Sequence, residues 1–142
     1  MHLRPFRPDD QSDVIALWQR CGLTRPWNDP VKDIARKLSV QPELFLVVVD
    51  APLDGRIIAS AMAGYDGHRG WINYLAVAPE RQRGGIGRML MAEIERRLLA
   101  LGCPKANLQI RSSNQAAVGF YEALGYTPDA AITMGKRLES DF

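Results

Sequence analysis

No apolar run in this chain of 142 residues approaches the ~18–20 residues that a membrane-crossing helix needs. The opening stretch, MHLRPFRPDD, has no apolar signal region, so secretion is not expected. Cysteine is scarce. Cys21 and Cys103 adjoin turn residues and form no CxxC, which supports neither a disulfide framework nor a zinc site. No metal is expected, and the cytoplasm is the expected compartment. Charge of one sign is not in excess: 18 Lys and Arg face 16 Asp and Glu, for a net +2. That balance argues against nucleic-acid binding, which calls for a clustered basic face. Internal repeats, low-complexity tracts and linkers are absent too. What is present is an ordinary globular composition, 46% hydrophobic and 24% charged. The length suits one domain over residues 1–142, large enough to bury a core without staples.

Periodicity divides the chain as follows. Residues His2 to Phe6 read as a short strand broken at Pro8-Asp9-Asp10. Val14, Leu17, Trp18 and Cys21 hold helical spacing up to Gly22. Leu23 to Asp29 is loop, and Asp29-Pro30 predicts an N-cap with proline at the first helical position. Leu44 to Val49 is continuously apolar, as in a strand covered on both faces. Asp54-Gly55 predicts a hairpin turn into Ile57 to Ala63. A second turn at Asp66 to Gly70 leads into Trp71 to Val77.

Ile86, Leu90, Ile94, Leu98 and Leu101 then hold helical spacing up to Gly102. On that helix Glu93 and Arg97 are placed to pair, worth ~0.3–0.5 kcal/mol. Leu108 to Arg111 reads as a strand, and Asn114 to Leu124 as a helix ending on a left-handed Gly125. Ile132 to Leu138 reads as a last strand. The order β-α-α-β-β-β-α-β-α-β makes this an α/β protein with a mixed sheet, antiparallel early and with a strand-helix-strand crossover in the middle.

The segment with chemical content is Leu75 to Arg88, LAVAPERQRGGIGR. It runs strand, glycine-rich turn, helix. Such a turn leaves successive backbone N–H groups unshielded at a helix N-terminus, an anion site suited to a pyrophosphate. Arg81, Arg83 and Arg88 add charge. A P-loop would need Gly-Lys-Ser/Thr, and Gly87-Arg88-Met89 does not supply it. The dinucleotide pattern GxGxxG fails because its third glycine would fall on Leu90.

What remains is Gln82-x-x-Gly85-x-Gly87. Here the chain resembles the GCN5-related N-acetyltransferases, the GNAT superfamily, whose signature is Gln/Arg-x-x-Gly-x-Gly/Ala. A second block, Leu108 to Asn114 followed by Ala117, Phe120-Tyr121-Glu122 and Leu124-Gly125-Tyr126, resembles that family's N-x-x-A-x-x-F/L-Y-x-x-x-G-F/Y segment. The nearest likeness is to small bacterial stand-alone acetyltransferases, including the ribosomal-protein alanine acetyltransferase type.

The resemblance implies a GNAT-type mixed, splayed sheet. It implies acetyl-CoA as co-substrate, its pyrophosphate held by Gln82, Arg83, Gly84, Gly85, Ile86, Gly87 and Arg88. It places Ala76 and Val77 at a β-bulge beside the pantetheine arm, with the Val77 N–H polarising the thioester carbonyl. It puts Asn114 and Ala117 near the cofactor, although Asn114 also reads as a helix cap and Ser112-x-x-Gln115 as a capping box. It makes Tyr121 the acid that protonates the departing thiolate; a phenol with an ordinary pKa of about 10 suits that task. The family's glutamate positions are occupied here by the amides Asn73 and Gln109. A water relay, Tyr74, Asp66, His68 or an amine arriving unprotonated remain as routes for the proton. Cys21 and Cys103 read as buried apolar residues.

The expected activity is acyl-CoA-dependent transfer, most simply of acetyl, to a primary amine of a small molecule or peptide. The acceptor pocket is expected from Leu23 to Pro30, Asn73, Tyr74, Arg111 and the C-terminal strand region. The expected partners are acetyl-CoA and that amine, with no nucleic acid and no membrane, in a monomer or homodimer. The alternatives are a non-catalytic acyl-CoA sensor and a phosphate-binding module on another α/β fold.

Overall fold

The computed structural model describes residues 1–50 and 55–142. The Asp54 half of the first expected hairpin turn lies outside the described residues. The elements are β1 (His2–Pro5), α1 (Gln11–Arg20), α2 (Pro30–Leu38), β2 (Phe45–Val49), β3 (Ile57–Tyr65), β4 (Gly70–Val77), α3 (Ile86–Ala100), β5 (Ala106–Leu108) and α4 (Gln115–Ala123), with 3-10 turns at Pro8–Asp10, Pro42–Leu44 and Pro79–Arg81. The sheet order is β1-β2-β3-β4-β5. The first four strands pair antiparallel and β5 joins β4 in parallel. This is the mixed α/β fold expected, with α3 supplying the crossover a parallel pair requires.

Every residue of β2 is buried, as are Ile57 to Ala63 of β3. Strands buried on both faces need cover on both, and α1 and α3 pack against the sheet. Trp18 of α1 is fully buried and donates its indole N–H to Ser60 Oγ at 3.0 Å. Phe45 stacks on Phe6 with ring centroids 4.2 Å apart. At the N-terminus Arg4 grips Asp10 with two bonds of 2.7 and 2.9 Å, tying β1 to the start of α1.

Local signals place most boundaries. Asp29 caps α2 by accepting from the Val31 N–H at 2.9 Å, with Pro30 at the first position. Gly125 ends α4 in the left-handed region at φ 95°. Glu93 accepts from Arg97 as expected, at 2.9 Å, and from Arg96 as well. Two expectations are corrected. β5 is Ala106–Leu108, not Leu108 to Arg111, because the residues pairing with Gly70, Trp71 and Ile72 are 106 to 108 and the chain leaves the sheet at Gln109. Ile132 to Leu138 forms no strand among the described residues. Ile132, Met134 and Leu138 alternate like strand residues but are about nine-tenths exposed. Alternation alone does not make a strand; a paired edge does, and no described ladder includes this segment.

Candidate functional site

The site begins at a defect in β4. Ile72 and Asn73 pair with Ala63 and Met62, but Ala76 and Val77 pair with Ser60 and Ala59, so β4 carries one residue more than β3 across this stretch. The extra residue is accommodated at Tyr74, which adopts φ 54°. A bulky residue in the left-handed region costs roughly 1–2 kcal/mol. Two contacts hold it there. Its ring stacks on Trp18 with centroids 3.9 Å apart, and its hydroxyl donates to Asp33 Oδ2 at 2.6 Å. Burial and the Asp33 carboxylate both push its phenol pKa up.

Beyond Ile72, β4 has no β5 partner, although it continues to Val77. The two strands therefore splay. Ala78 donates its N–H to the Ile58 carbonyl at 2.8 Å. Alternation along an antiparallel strand then directs the Val77 N–H and C=O away from β3, towards the open side. The Val77 carbonyl accepts there from the Gln82 amide at 3.0 Å and from the Cys21 thiol at 3.3 Å. Cys21 is thus half-buried at the edge of the slot and not simply apolar filling, whereas Cys103 is buried as expected.

The loop after β4 turns through two left-handed residues, Arg83 at φ 66° and Gly85 at φ 85°. Gly85 is the N-cap of α3 and supplies no side-chain cap. Among the described hydrogen bonds, no backbone N–H from Arg83 to Arg88 has an acceptor in the protein. A curl of unbonded donors at the positive end of a 15-residue helix is an anion cradle. Gly87 is required for a different reason. A Cβ there would sit 3.0 Å from Phe120 Cζ and 3.6 Å from Val77 Cγ2. Its bare backbone lets α3, the end of β4 and α4 meet. Arg83 and Arg88 are exposed and outside the described ion pairs, whereas Arg81 pairs with Asp50 at 2.7 Å.

Asn114 caps α4, accepting from the Ala117 N–H at 3.1 Å. Ser112 does not act as the cap; its carbonyl receives the Gln115 amide at 2.9 Å. Phe120 reaches the Gly87 backbone, and Tyr121 follows it on the helix. Tyr121 lines a cavity of about 780 Å³ together with Leu108, Gln109, Val118 and Tyr126. Burial pushes its phenol pKa up to about 12, so the hydroxyl stays protonated at neutral pH.

A second cavity, of about 540 Å³, opens at the bulge. Leu23, Arg25, Asn28, Asn73, Tyr74 and Arg111, all within the set expected for the acceptor side, line it, whereas the C-terminal segment expected with them does not. Its other wall, Asp33, Arg36 and Lys37 of α2, was not expected. The signal was weak: α2 is a short helix whose polar positions carry no motif. Arg111 lies over the Trp27 ring, 5.7 Å from its centroid. The C-terminal residues brace α2. Buried Asp141 accepts from Arg36 at 2.6 Å and from the Asp29 N–H at 2.7 Å, and Lys32 donates to its carbonyl. Arg36 and the Asp29 N–H hold the Asp141 carboxyl down at a pKa of about 2.

Two of the proposed proton acceptors are removed by this geometry. Asp66 accepts from the N–H groups of His68 and Arg69 and from the Trp71 indole, closing the β3–β4 turn. That turn stands at the far end of β4 from Val77, seven residues or roughly 23 Å away. Among the described residues no group of three or more His, Cys, Asp or Glu side chains is placed to hold a metal ion. Among the described residues no helix is long and apolar enough to cross a membrane.

Comparison with known proteins places this geometry. The model of the acetyltransferase (GNAT) family matches residues 9–126. An acetyltransferase of Pectobacterium atrosepticum is 50% identical over 141 residues, 99% of this chain and 98% of that protein. One from Sodalis glossinidius is 49% identical over 142 residues, 99% and 98% of the two. Among solved structures, Chaetomium thermophilum Naa20 in complex with a bisubstrate analogue aligns with a TM-score of 0.72 at 27% identity, covering 89% of this chain and 71% of that one. The ribosomal-protein-alanine N-acetyltransferase of Escherichia coli aligns at 0.69 and 25%, covering 87% and 76%.

Proposed function

The chain belongs to the GNAT acetyltransferase family, and from that premise we propose that residues 1–142 act as one domain that moves acetyl from acetyl-CoA to a primary amine. The observation that carries this reading is the run of unbonded N–H groups from Arg83 to Arg88, opening α3 beside a slot where β4 outlasts β5. The cradle suits a pyrophosphate, and the slot suits an extended thioester arm.

In this reading the N–H groups of Arg83 to Arg88, with the Arg83 and Arg88 side chains, bind the diphosphate. Gln82 shapes the turn through its bond to Val77, and Ala76 walls the slot. The Val77 N–H stabilises the negative charge that develops on the carbonyl oxygen under attack. The amine nitrogen forms a bond to the acetyl carbon, the carbon–sulfur bond breaks, and the thiolate takes a proton from Tyr121. The proton lost by the amine passes to water, since Asn73 and Gln109 are amides and Tyr74 is itself held protonated, and water returns a proton to the Tyr121 phenolate. Most of the rate comes from placing both reactants in one slot. No metal enters this scheme, and a cytoplasmic enzyme fits it.

The test has two arms. A ligand at a hundredfold excess over Kd stabilises the fold by about 2.7 kcal/mol, so acetyl-CoA should raise the melting temperature by about 5–10 °C. ATP and NAD should do much less. Turnover is read as free thiol released on a panel of amines. Tyr121→Phe should keep acetyl-CoA affinity and lose about 10²–10⁴-fold in turnover. Equal shifts with ATP would refute the cofactor, and undiminished turnover in Tyr121→Phe would refute the acid.

A further inference from the structure

We propose that the acceptor amine carries an anionic group, a carboxylate or a phosphate, bound in the cavity at the bulge by Arg25, Lys37 and Arg111. This rests on the transferase reading above and adds the substrate's charge.

The cavity is lopsided in charge. Four cations line it, Arg25, Arg36, Lys37 and Arg111, against one carboxylate, Asp33. Arg36 is already committed, pairing with Asp33 at 3.0 Å and with Asp141 at 2.6 Å. Asp33 is committed as well, holding Arg36 on one oxygen and the Tyr74 hydroxyl on the other. The remaining three cations appear in none of the described ion pairs. Arg25 spends one nitrogen on the Gly22 and Thr24 carbonyls, and Lys37 donates to the Val40 carbonyl. Neither bond neutralises a charge. Three cations around one concavity repel one another, and an anion seated among them relieves that cost.

The placement of Arg111 favours such a ligand. Its guanidinium lies over the Trp27 ring, which orients a planar fork suited to two parallel bonds to a carboxylate or phosphate. Asn73 and Tyr74 line the same cavity from the bulge, three to four residues before Val77. An amine presented near the bulge would therefore carry its anionic group outwards, towards α2 and Arg111. Ordinary surface cations stand singly in water; here three of them line one open concavity that reaches the bulge in β4.

The experiment uses matched pairs of which only one member bears an anion: β-alanine against β-alaninamide, phosphoethanolamine against ethanolamine, and C-terminally amidated Met-Asp against amidated Met-Asn. Thiol release gives kcat/KM, and chemical-shift titration of the CoA-loaded protein gives affinity for the same compounds. The anionic member should win by about 10–100-fold, the range of one charge-assisted hydrogen bond. The gain should appear in KM and shrink as salt rises. The triple variant Arg25→Gln/Lys37→Gln/Arg111→Gln, with its circular dichroism compared to wild type, should erase the preference. The pairs separate carboxylate from phosphate as the preferred anion. A neutral member bound or turned over as well as its anionic partner in every pair overturns the proposal, as does a preference that survives the triple variant. Anionic selectivity in binding without turnover of any amine would instead refute the transferase reading and leave the pocket assignment standing.

Discussion

Replacing Tyr74 by phenylalanine removes one hydroxyl and isolates what holds the bulge. The lost bond runs to a carboxylate at 2.6 Å. Hydrogen bonds to charged groups contribute about 1.5–3 kcal/mol. Asp33 keeps Arg36 and is about a quarter exposed, so water can replace part of the loss. We expect a cost of about 1–2 kcal/mol. A domain of this size loses about 3–4 °C of melting temperature per kcal/mol, so differential scanning calorimetry should show a fall of about 3–8 °C. The ring still stacks on Trp18, and Tyr74→Gly tests that half. Glycine relieves the left-handed strain, by roughly 1 kcal/mol, but forfeits the stack and the buried ring area, which together outweigh it. The glycine variant should be the less stable of the two. A phenylalanine variant melting within 1 °C of wild type (far below the expected shift), or a glycine variant more stable than the phenylalanine one, would refute this account.

Two further outcomes follow from the site. Gly85→Glu puts a carboxylate at a residue with φ 85° inside the N–H cradle; it should abolish acetyl-CoA binding in calorimetry at near-wild-type circular dichroism, and normal binding would put the anion site elsewhere. Asp141 has a folded pKa of about 2 against an ordinary 3.8, so the unfolded chain takes up its proton first. Its contribution should be complete above about pH 5 and vanish as pH falls through about 2. The melting-temperature gap between wild type and Asp141→Asn should close over that window, and a gap independent of pH would show that the clamp is not ionic.

Legibility in the sequence follows the range of the interactions concerned. Asp29-Pro30, Asn114 and Gly125 mark helix ends through contacts a few residues long, and they read correctly. The loop from Gln82 to Arg88 was legible because its turn depends on backbone freedom, which glycine spelling announces. The α2 wall of the cavity was not. Asp33 acquires its role from Tyr74, 41 residues away, and Arg36 from Asp141, 105 residues away. In the sequence both are polar positions on a surface helix. The last strand failed for the converse reason: Ile132, Met134 and Leu138 carry the local pattern, but a strand also needs a paired edge.

The bulge is the most consequential feature that local pattern could not reveal, and its effect follows from register. Up to Asn73 the pairing places β4 so that, continued without interruption, Val77 would face Ile58. The Ile58 carbonyl accepts an N–H from β4 at that point. In the uninterrupted register the donor would be Val77, and its N–H would be consumed inside the sheet. The extra residue at Tyr74 shifts the register by one, so Ala78 makes that bond and the Val77 N–H turns to the open side. A single left-handed tyrosine thus decides whether the Val77 N–H is spent inside the sheet or left to the slot. The stack on Trp18 and the bond to Asp33 hold that tyrosine in place, so α1 and α2 both act on the course of β4. Asp33 also lines the cavity at the bulge, which couples that cavity to the geometry at Val77 through one side chain.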